Sequence, residues 1–226
     1  MDWQALQLSL LLAVATTVLL LPVSVFAGRW MAGSSFRGKI LIDAAIATPL
    51  VLPPTVIGYY LLAGMGAHSP LGAWFSELFG RPLVFSFSGL LIASVLVNLP
   101  FAIQPAQRAF ESIPQDVRDA AQCCGMSFWR ALWAVDLPLA WPGVLTGLTL
   151  SFAHTLGEFG VVLMVGGAIP GETKTVSIAI YDQVQSLNFE GAGSMSLLLL
   201  LISLGLLVFV NLLGRYAGRL HAYRNV

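Results

Sequence analysis

The chain has 226 residues, of which 57% are hydrophobic and only 10% are charged, and its formal net charge is zero. Because soluble domains carry about 25% charged residues, this composition excludes a soluble globular protein and indicates one membrane domain over residues 1–226. The zero net charge gives no basic surface for nucleic acid, and the adjacent cysteines at 123 and 124 suit neither a structural disulfide nor a zinc site.

Five long runs are apolar and almost free of charge, and each reaches roughly the 20 residues that a bilayer-spanning helix needs. The sequence therefore predicts an all-α integral membrane protein that contacts lipid through five transmembrane helices. The first run has the apolarity of a signal peptide, but it is too long and lacks a basic start, so we interpret it as a span. The predicted spans are about 6–28, 40–64, 86–108, 139–165 and 194–214.

Prolines interrupt the second and third predicted spans, and each removes a backbone hydrogen bond, which kinks a helix. They are Pro49, Pro53, Pro54, Pro100 and Pro105. Packing alone explains such kinks as well as a transport pathway does. Two shorter segments, Leu71 to Phe79 and Tyr181 to Phe189, are predicted to form short helices outside the spans.

The basic residues alternate between the loops and so predict the orientation of the chain. Nine of the eleven Lys and Arg residues fall between spans one and two, between spans three and four, or after span five. Because cytoplasmic loops carry the excess of basic residues, we expect a multi-pass protein with its amino terminus outside and its carboxyl terminus in the cytoplasm. The nine are Arg29, Arg37, Lys39, Arg108, Arg118, Arg130, Arg215, Arg219 and Arg224.

The cytoplasmic segment at about 112–136 has the pattern of a short polar helix. Ser112 and Gln115 match a capping box, and Gly125 is suited to end the helix. At about 100° per residue, one narrow face carries only small side chains. Its composition also fits a linker helix lying on the membrane surface. The small face consists of Ala120, Ala121, Cys124 and Gly125.

The spacing within this segment resembles the EAA motif of ABC-importer permeases, with Asp in place of Glu at 119 and Val in place of Ile at 135. The resemblance implies a type I importer permease with the MetI-like fold. It also implies that the segment is the coupling helix, which docks in a groove of a cytoplasmic ATPase. The residues that carry the motif are Asp119, Ala120, Ala121, Gly125, Leu137 and Pro138.

Three further stretches resemble molybdate permeases, namely 50–54, 157–160 and 169–175. This resemblance implies a second copy of the chain, two ATPase subunits that bind the ATP, and a periplasmic oxyanion-binding protein, with no cofactor in the chain itself. The loop at 169–175 favours molybdate as the carried oxyanion. Sulfate and tungstate permeases share the EAA and Glu-Phe-Gly elements, so sulfate and tungstate remain the alternatives. The resemblance also implies a protein of the bacterial inner membrane, with the amino terminus in the periplasm.

Span four carries polar side chains at the spacing of one helix stripe, which we interpret as candidates to line the transport pathway. A charge in mid-membrane costs about 2.5–3.5 kcal/mol on insertion scales and therefore faces a cavity or a partner. The alternative is that Glu158 lies near the outer interface and pairs with His154. The stripe consists of Ser151, His154, Thr155 and Glu158.

Two other classes of protein remain as alternatives. One is a small intramembrane enzyme that uses His154, Glu158 and Asp182, and the other is a self-contained channel. Neither needs a cytoplasmic docking helix with a small face. The sequence contains no GxxxxGK[ST] loop, so we expect no ATPase site in this chain. It offers neither a His/Glu metal cluster nor a convincing Ser/His/Asp set, so we expect no bound metal and no enzymatic activity of its own.

Overall fold

The computed structural model describes the backbone of residues 2–223 and the side chains of residues 2–208. All regular elements in this described part are helical. The helices are α1 (Trp3–Gly33), α2 (Lys39–Val51), α3 (Pro54–Met65), α4 (Pro70–Phe79), α5 (Phe87–Glu111), α6 (Gln115–Cys123), α7 (Phe128–Ala131), α8 (Leu137–Gly157), α9 (Gly160–Gly166), α10 (Val176–Gln185) and α11 (Phe189–Tyr223), with a π-helical turn over Leu132–Asp136.

Four helical stretches in the described residues are long and apolar enough to cross a membrane, and α2 with α3 forms a fifth, bent candidate. The predicted all-α membrane fold is therefore confirmed, with four long apolar helices and the bent pair as the fifth candidate span. The first span is longer than predicted, so that Arg29 lies within α1. Helix α11 also extends beyond the predicted fifth span at both ends. Arg224, one of the residues used to predict orientation, lies outside the described residues.

The second span is broken, which corrects the prediction of one helix over 40–64. Helix α2 ends at Val51, α3 begins at Pro54, and the two axes differ by 111°. Leu52 and Pro53 between them have extended backbone, with ψ of 141° and 137°. A residue before proline is driven away from helical conformation and proline donates no backbone hydrogen bond. The Pro-Pro pair therefore divides the span instead of kinking it.

The fourth span is also interrupted, since α8 ends at Gly157 and not at the predicted residue 165. Glu158 is extended, with ψ of 127°, and α9 begins two residues later. Hydrogen bonds satisfy the interrupted backbone. The Glu158 carboxylate accepts from the Val161 amide at 3.0 Å, and its carbonyl accepts from the Ser177 hydroxyl at 2.7 Å. Glycines at 157 and 160 favour the break because Gly weakens a helix interior.

Helices α1, α5 and α8 form the central bundle. Two glycines of α8 permit close approach to α5, because a Cβ on Gly143 would lie 2.8 Å from the Pro105 carbonyl oxygen and one on Gly147 would lie 2.8 Å from that of Ala102. Side chains from all three helices and from the segment after α5 fill the interior. They are Leu20, Val25, Ala102, Ala106, Phe110, Ile113, Leu132, Ala140, Val144 and Leu148.

The remaining helices pack around this bundle. Helices α3 and α9 pack with α5, and α10 packs between α1 and α11. The predicted short helix at 71–79 is present as α4. The one predicted at 181–189 is displaced, because α10 ends at Gln185 and Leu187 takes a φ of 58° before α11 begins.

Candidate functional site

We call residues 115–138 the EAA segment. Its first helix is α6. It begins at Gln115 with Pro114 as its cap residue and without a side-chain cap. The predicted capping box is wrong, because Ser112 ends α5 and its hydroxyl donates to the Ala109 carbonyl at 2.8 Å. The side-chain amide of Gln115 instead donates to the Asp119 carboxylate at 3.0 Å, one turn further along the same helix.

Helix α6 ends at Cys123, and Gly125 terminates it two residues later, as the sequence predicts. Gly125 has a φ of +69°, its amide donates to the Gln122 carbonyl at 2.8 Å, and the Met126 amide donates to the Ala121 carbonyl at 3.1 Å. These two bonds are the Schellman arrangement, in which a left-handed residue closes the last turn. The Ser127 hydroxyl then accepts from the Arg130 amide at 3.4 Å and starts α7.

The small face of α6 is divided between the inside and the outside of the chain. Ala121 is buried, whereas Ala120, Cys124 and Gly125 are exposed. A Cβ placed on Gly125 would meet no atom within 4 Å. The exposed part of the small face therefore consists of Ala120, Cys124 and Gly125, with the exposed Asp119 beside it.

The motif ends where α8 begins. Leu137 and Pro138 are the first two residues of α8, and the π-helical turn precedes them. Pro138 is exposed and Leu137 is half-buried. Proline suits the first turn of a helix because its missing N–H would be unpaired there. The EAA segment thus ends by leading directly into a long apolar helix.

A cluster of charges that sequence reasoning missed joins the EAA segment to α1. The Asp136 side chain is 3% exposed and forms an ion pair with Arg29. Arg118 approaches the same carboxylate, with Nε 3.8 Å from Oδ1, and its guanidinium also donates to the Phe110 carbonyl. We call these three residues the Arg29–Asp136–Arg118 cluster. Its one signal in the sequence is an acid at the start of an apolar span, where a charge requires a partner.

The Arg29–Asp136–Arg118 cluster borders a cavity of about 290 Å³ between α6 and the π-helical turn. Ala121 lines it from α6, and Phe128 lines it from α7. Phe128 also receives the Arg29 guanidinium over its ring at 5.7 Å. The buried side of α6 is therefore partly empty, and polar contacts carry much of its attachment to the rest of the chain.

The polar residues predicted in span four divide into two pairs. Ser151 and Thr155 are buried, and Thr155 accepts a hydrogen bond from Asn98 of α5 at 3.1 Å. The Ser151 hydroxyl donates to the Gly147 carbonyl at 2.9 Å within α8. Thr155 therefore contributes to the contact between α5 and α8, whereas the hydrogen bond of Ser151 lies within α8. Whether the two side chains line a pathway in another conformation stays a prediction.

His154 and Glu158 lie together at a second cavity, of about 200 Å³. His154 Nε2 lies 3.6 Å from Glu158 Oε2, and the His154 ring stacks on Phe101 at a centroid distance of 4.4 Å. The pairing expected for Glu158 is thus present. Both interrupted spans meet at this cavity, whose other lining residues are Pro49, Leu50, Leu52, Pro54, Ile57 and Val97.

The third residue of the enzyme alternative is engaged elsewhere. The Asp182 carboxylate pairs with Lys174 at 2.7 Å. Within the described residues, no group of three or more His, Cys, Asp and Glu side chains is arranged to hold a metal ion. The geometry therefore offers His154 and Glu158 as a polar pair at a cavity.

Comparison with known proteins adds to this geometry. The family described as Binding-protein-dependent transport system inner membrane component matches residues 21–220. Over 191 residues, 84% of each chain, the protein is 47% identical to the Molybdenum transport system permease protein ModB of Azotobacter vinelandii. It is 33% identical to the protein of the same name from Escherichia coli (strain K12) over 223 residues, 99% of this chain and 96% of the relative.

The fold also resembles a solved structure. A chain in the crystal structure of a bacterial alginate ABC transporter, in complex with an alginate pentasaccharide-bound periplasmic protein, superposes with a TM-score of 0.76. The superposition covers 94% of this chain and 78% of that chain at 14% sequence identity. At that identity the likeness shows a shared fold only.

Proposed function

The chain belongs to the family of binding-protein-dependent transport system inner membrane components, and on this premise we propose that it is the permease subunit of an ATP-driven molybdate importer. Membership confirms the resemblance expected from the EAA spacing and the MetI-like permease fold. The observation that carries the proposal is the exposed helix α6, which lies between two spans and ends at Gly125 at the spacing of the EAA motif.

Helix α6 is the docking element for the ATPase in this proposal. The exposed residues Ala120, Cys124 and Gly125 give it a surface without long side chains, which allows a partner groove to approach the backbone closely. Asp119 adds one negative charge beside that surface. Of the other motif residues, Ala121 lines the cavity behind α6 from within the chain, and Leu137 and Pro138 form the first turn of α8.

The pathway passes the cavity at His154 and Glu158 in this proposal. Two interrupted spans meet there, and non-helical backbone at membrane depth is tolerated where it is buried in protein or lines a water-filled cavity. The Glu158 carboxylate would repel an oxyanion, but the hydrogen bond that it accepts from the Val161 amide reduces that repulsion. Ser151 and Thr155 join the lining when α5 and α8 separate.

The assembly follows from the same proposal. Two copies of this chain surround one pathway, two ABC ATPase subunits bind on the cytoplasmic side and hydrolyse the ATP, and a periplasmic oxyanion-binding protein delivers the substrate. The protein lies in the bacterial inner membrane with its amino terminus in the periplasm and its carboxyl terminus in the cytoplasm. The complex of the alginate transporter with a periplasmic protein supports this arrangement by analogy of fold.

We propose molybdate as the substrate ahead of sulfate and tungstate, because both relatives described above are molybdenum transport permeases. Sulfate remains the second candidate, since a probable sulfate transport system permease protein is 35% identical over 78% of the chain. An intramembrane enzyme or a self-contained channel receives no support from the docking surface of α6.

The test is ATP-dependent oxyanion uptake into vesicles that contain this chain and the ATPase subunits, with the binding protein outside. We expect accumulation of labelled molybdate that unlabelled sulfate in tenfold excess does not suppress. A matched vesicle whose ATPase cannot hydrolyse ATP should accumulate nothing. Uptake without ATP would instead indicate a channel, and suppression by sulfate would favour a sulfate permease.

A further inference from the structure

Helix α6 has two apolar contacts with its own chain. Ala121 is the one buried residue among Gln115–Cys123, and the half-buried Val117 packs against the core of the central bundle. Burial of one alanine and part of one valine stabilises this attachment modestly, because the hydrophobic contribution scales with the apolar area removed from water. A polar contact adds a second connection through which movement of α6 can reach the membrane helices.

Arg118 supplies that contact. Its guanidinium donates to the carbonyl of Phe110, in the last turn of α5, and its Nε lies 3.8 Å from the Asp136 carboxylate. The Arg118 side chain is 15% exposed, so water screens these contacts less than it would at the surface. Arg118 thereby joins α6 both to the central bundle and to the π-helical turn.

Asp136 connects Arg118 to two membrane helices, α8 and α1. The π-helical turn continues into α8, since the Leu137 amide donates to the Leu132 carbonyl and Leu132 is 1% exposed. The Asp136 carboxylate also pairs with Arg29 of α1. Asp136 therefore connects α6, α1 and α8, and π-helical turns are frequent at functional positions in helices.

The charge balance of the Arg29–Asp136–Arg118 cluster makes it sensitive to the loss of any one charge. Two guanidinium groups share one carboxylate, so the Arg29–Asp136–Arg118 cluster has a net charge of +1. Without the carboxylate the two cations would face each other beside the cavity of about 290 Å³. Removal of one member of a buried charge cluster costs far more than removal of a surface charge, because the remaining charge has no partner.

We propose that Asp136 is a positioning residue that holds Arg118 and Arg29 together and so transmits the movement of α6 to α8 and α1. This inference rests on the proposed function, because it assumes that an ATPase moves α6. It goes beyond the EAA motif, since Arg29 lies 107 residues from Asp136 along the chain and outside that motif.

The experiment measures molybdate taken up per ATP hydrolysed in vesicles that contain the complete transporter. The test variants are Asp136→Asn and Arg118→Gln, and their double variant. The matched controls are Asp116→Asn and Arg130→Gln, because both residues are exposed, lie in the same segment and form no ion pair among the described residues. Asp136→Glu tests whether restoring the charge restores the function.

We expect uptake per ATP to fall about fivefold or more in each test variant, as for a lost coupling contact between two sites. ATPase binding and the rate of ATP hydrolysis should stay near those of the wild type. The double variant should be no worse than the worse single variant, because both changes remove the same contact. Asp136→Glu should recover part of the ratio, and the two controls should leave it unchanged.

Two results would overturn the inference while the proposed function stands. One is an unchanged uptake ratio in Asp136→Asn and Arg118→Gln. The other is a loss of ATPase binding in proportion to the loss of uptake, which would indicate a structural role only. If the wild-type complex neither binds the ATPase nor takes up molybdate, the proposed function itself fails.

Discussion

The imidazole Nε2 of His154 lies 3.6 Å from a carboxylate oxygen of Glu158, across the end of helix α8. The other oxygen of the same carboxylate accepts the Val161 amide at 3.0 Å. One side chain therefore closes a helix break and also borders a cavity. The two roles can be separated by substitution, because only one of them needs the negative charge.

Glu158→Gln should leave the fold intact, because the amide oxygen can still accept the Val161 amide hydrogen bond. Glu158→Ala removes the acceptor, and an unsatisfied buried donor costs about 1–3 kcal/mol. We expect Glu158→Ala to lower the melting temperature of the purified chain and Glu158→Gln to change it little. Equal melting temperatures for the two variants would show that the hydrogen bond between Val161 and Glu158 contributes nothing to stability.

Uptake by the Glu158→Gln variant tests the charge. Because a carboxylate at the cavity repels an oxyanion, its loss should leave molybdate uptake at the wild-type rate or above it. The measurement is initial uptake at equal amounts of chain in the membrane. A large decrease with normal chain levels would mean that the negative charge is itself required for transport.

Gly125→Leu should abolish most uptake without removing the chain from the membrane. Leucine is strained at a φ of +69° by roughly 1–2 kcal/mol, and its side chain would cover the exposed end of α6. Gly125→Asn is the matched control, because Asn tolerates the left-handed conformation and is smaller. Uptake and chain abundance are measured for both variants, and full uptake by Gly125→Leu would remove Gly125 from the docking surface.

Ala120→Trp tests the exposed face of α6 directly. Ala120 is exposed whereas Ala121 is buried beside the cavity, so bulk at 120 should block a partner while bulk at 121 should also disturb the chain itself. We expect Ala120→Trp to lose ATPase retention on pull-down and uptake, with normal chain abundance. Ala120→Ser, which keeps the side chain small, should retain both. Full ATPase binding by Ala120→Trp would place the docking surface elsewhere.

The orientation of the chain is tested by labelling. Single cysteines at Ser35, Ser127 and Glu172 are introduced after Cys123 and Cys124 are replaced by Ser. Glu172 is preferred to Lys174 because it is exposed, whereas Lys174 pairs with Asp182 at 2.7 Å. In intact cells an impermeant thiol reagent should label only position 172. Labelling at 35 or 127 with none at 172 would reverse the topology.

The membrane spans and the end of α6 could be predicted because their causes are local. Runs without charge indicate spans, and Gly125 between α6 and α7 has the left-handed conformation that favours glycine. The breaks were harder to predict. The Pro53–Pro54 pair predicts a kink. The size of the bend, 111°, depends on the packing of α3 against α9 and α5, which the local sequence does not specify.

Glu158 shows why periodicity misled the prediction of span four. Its position fits the helix stripe, but its carboxylate and carbonyl accept hydrogen bonds that hold it outside the helix. The Arg29–Asp136–Arg118 cluster could not be predicted either. Arg118 and Asp136 lie in the EAA segment, but Arg29 lies 107 residues from Asp136, and a single sequence carries no information about which charges meet in space.

The exposed thiol of Cys124 provides the most direct test of the claim that α6 docks on an ATPase. With Cys123 replaced by Ser, a short thiol-reactive photo-cross-linker on Cys124 should join this chain to the ATPase subunit in membranes that contain the complete transporter. The same linker on a cysteine at Glu77, in the exposed part of α4, should give no such product. Cross-linking to the ATPase from 124 and not from 77 is the predicted result; cross-linking from neither position, in a complex that takes up molybdate, would contradict it.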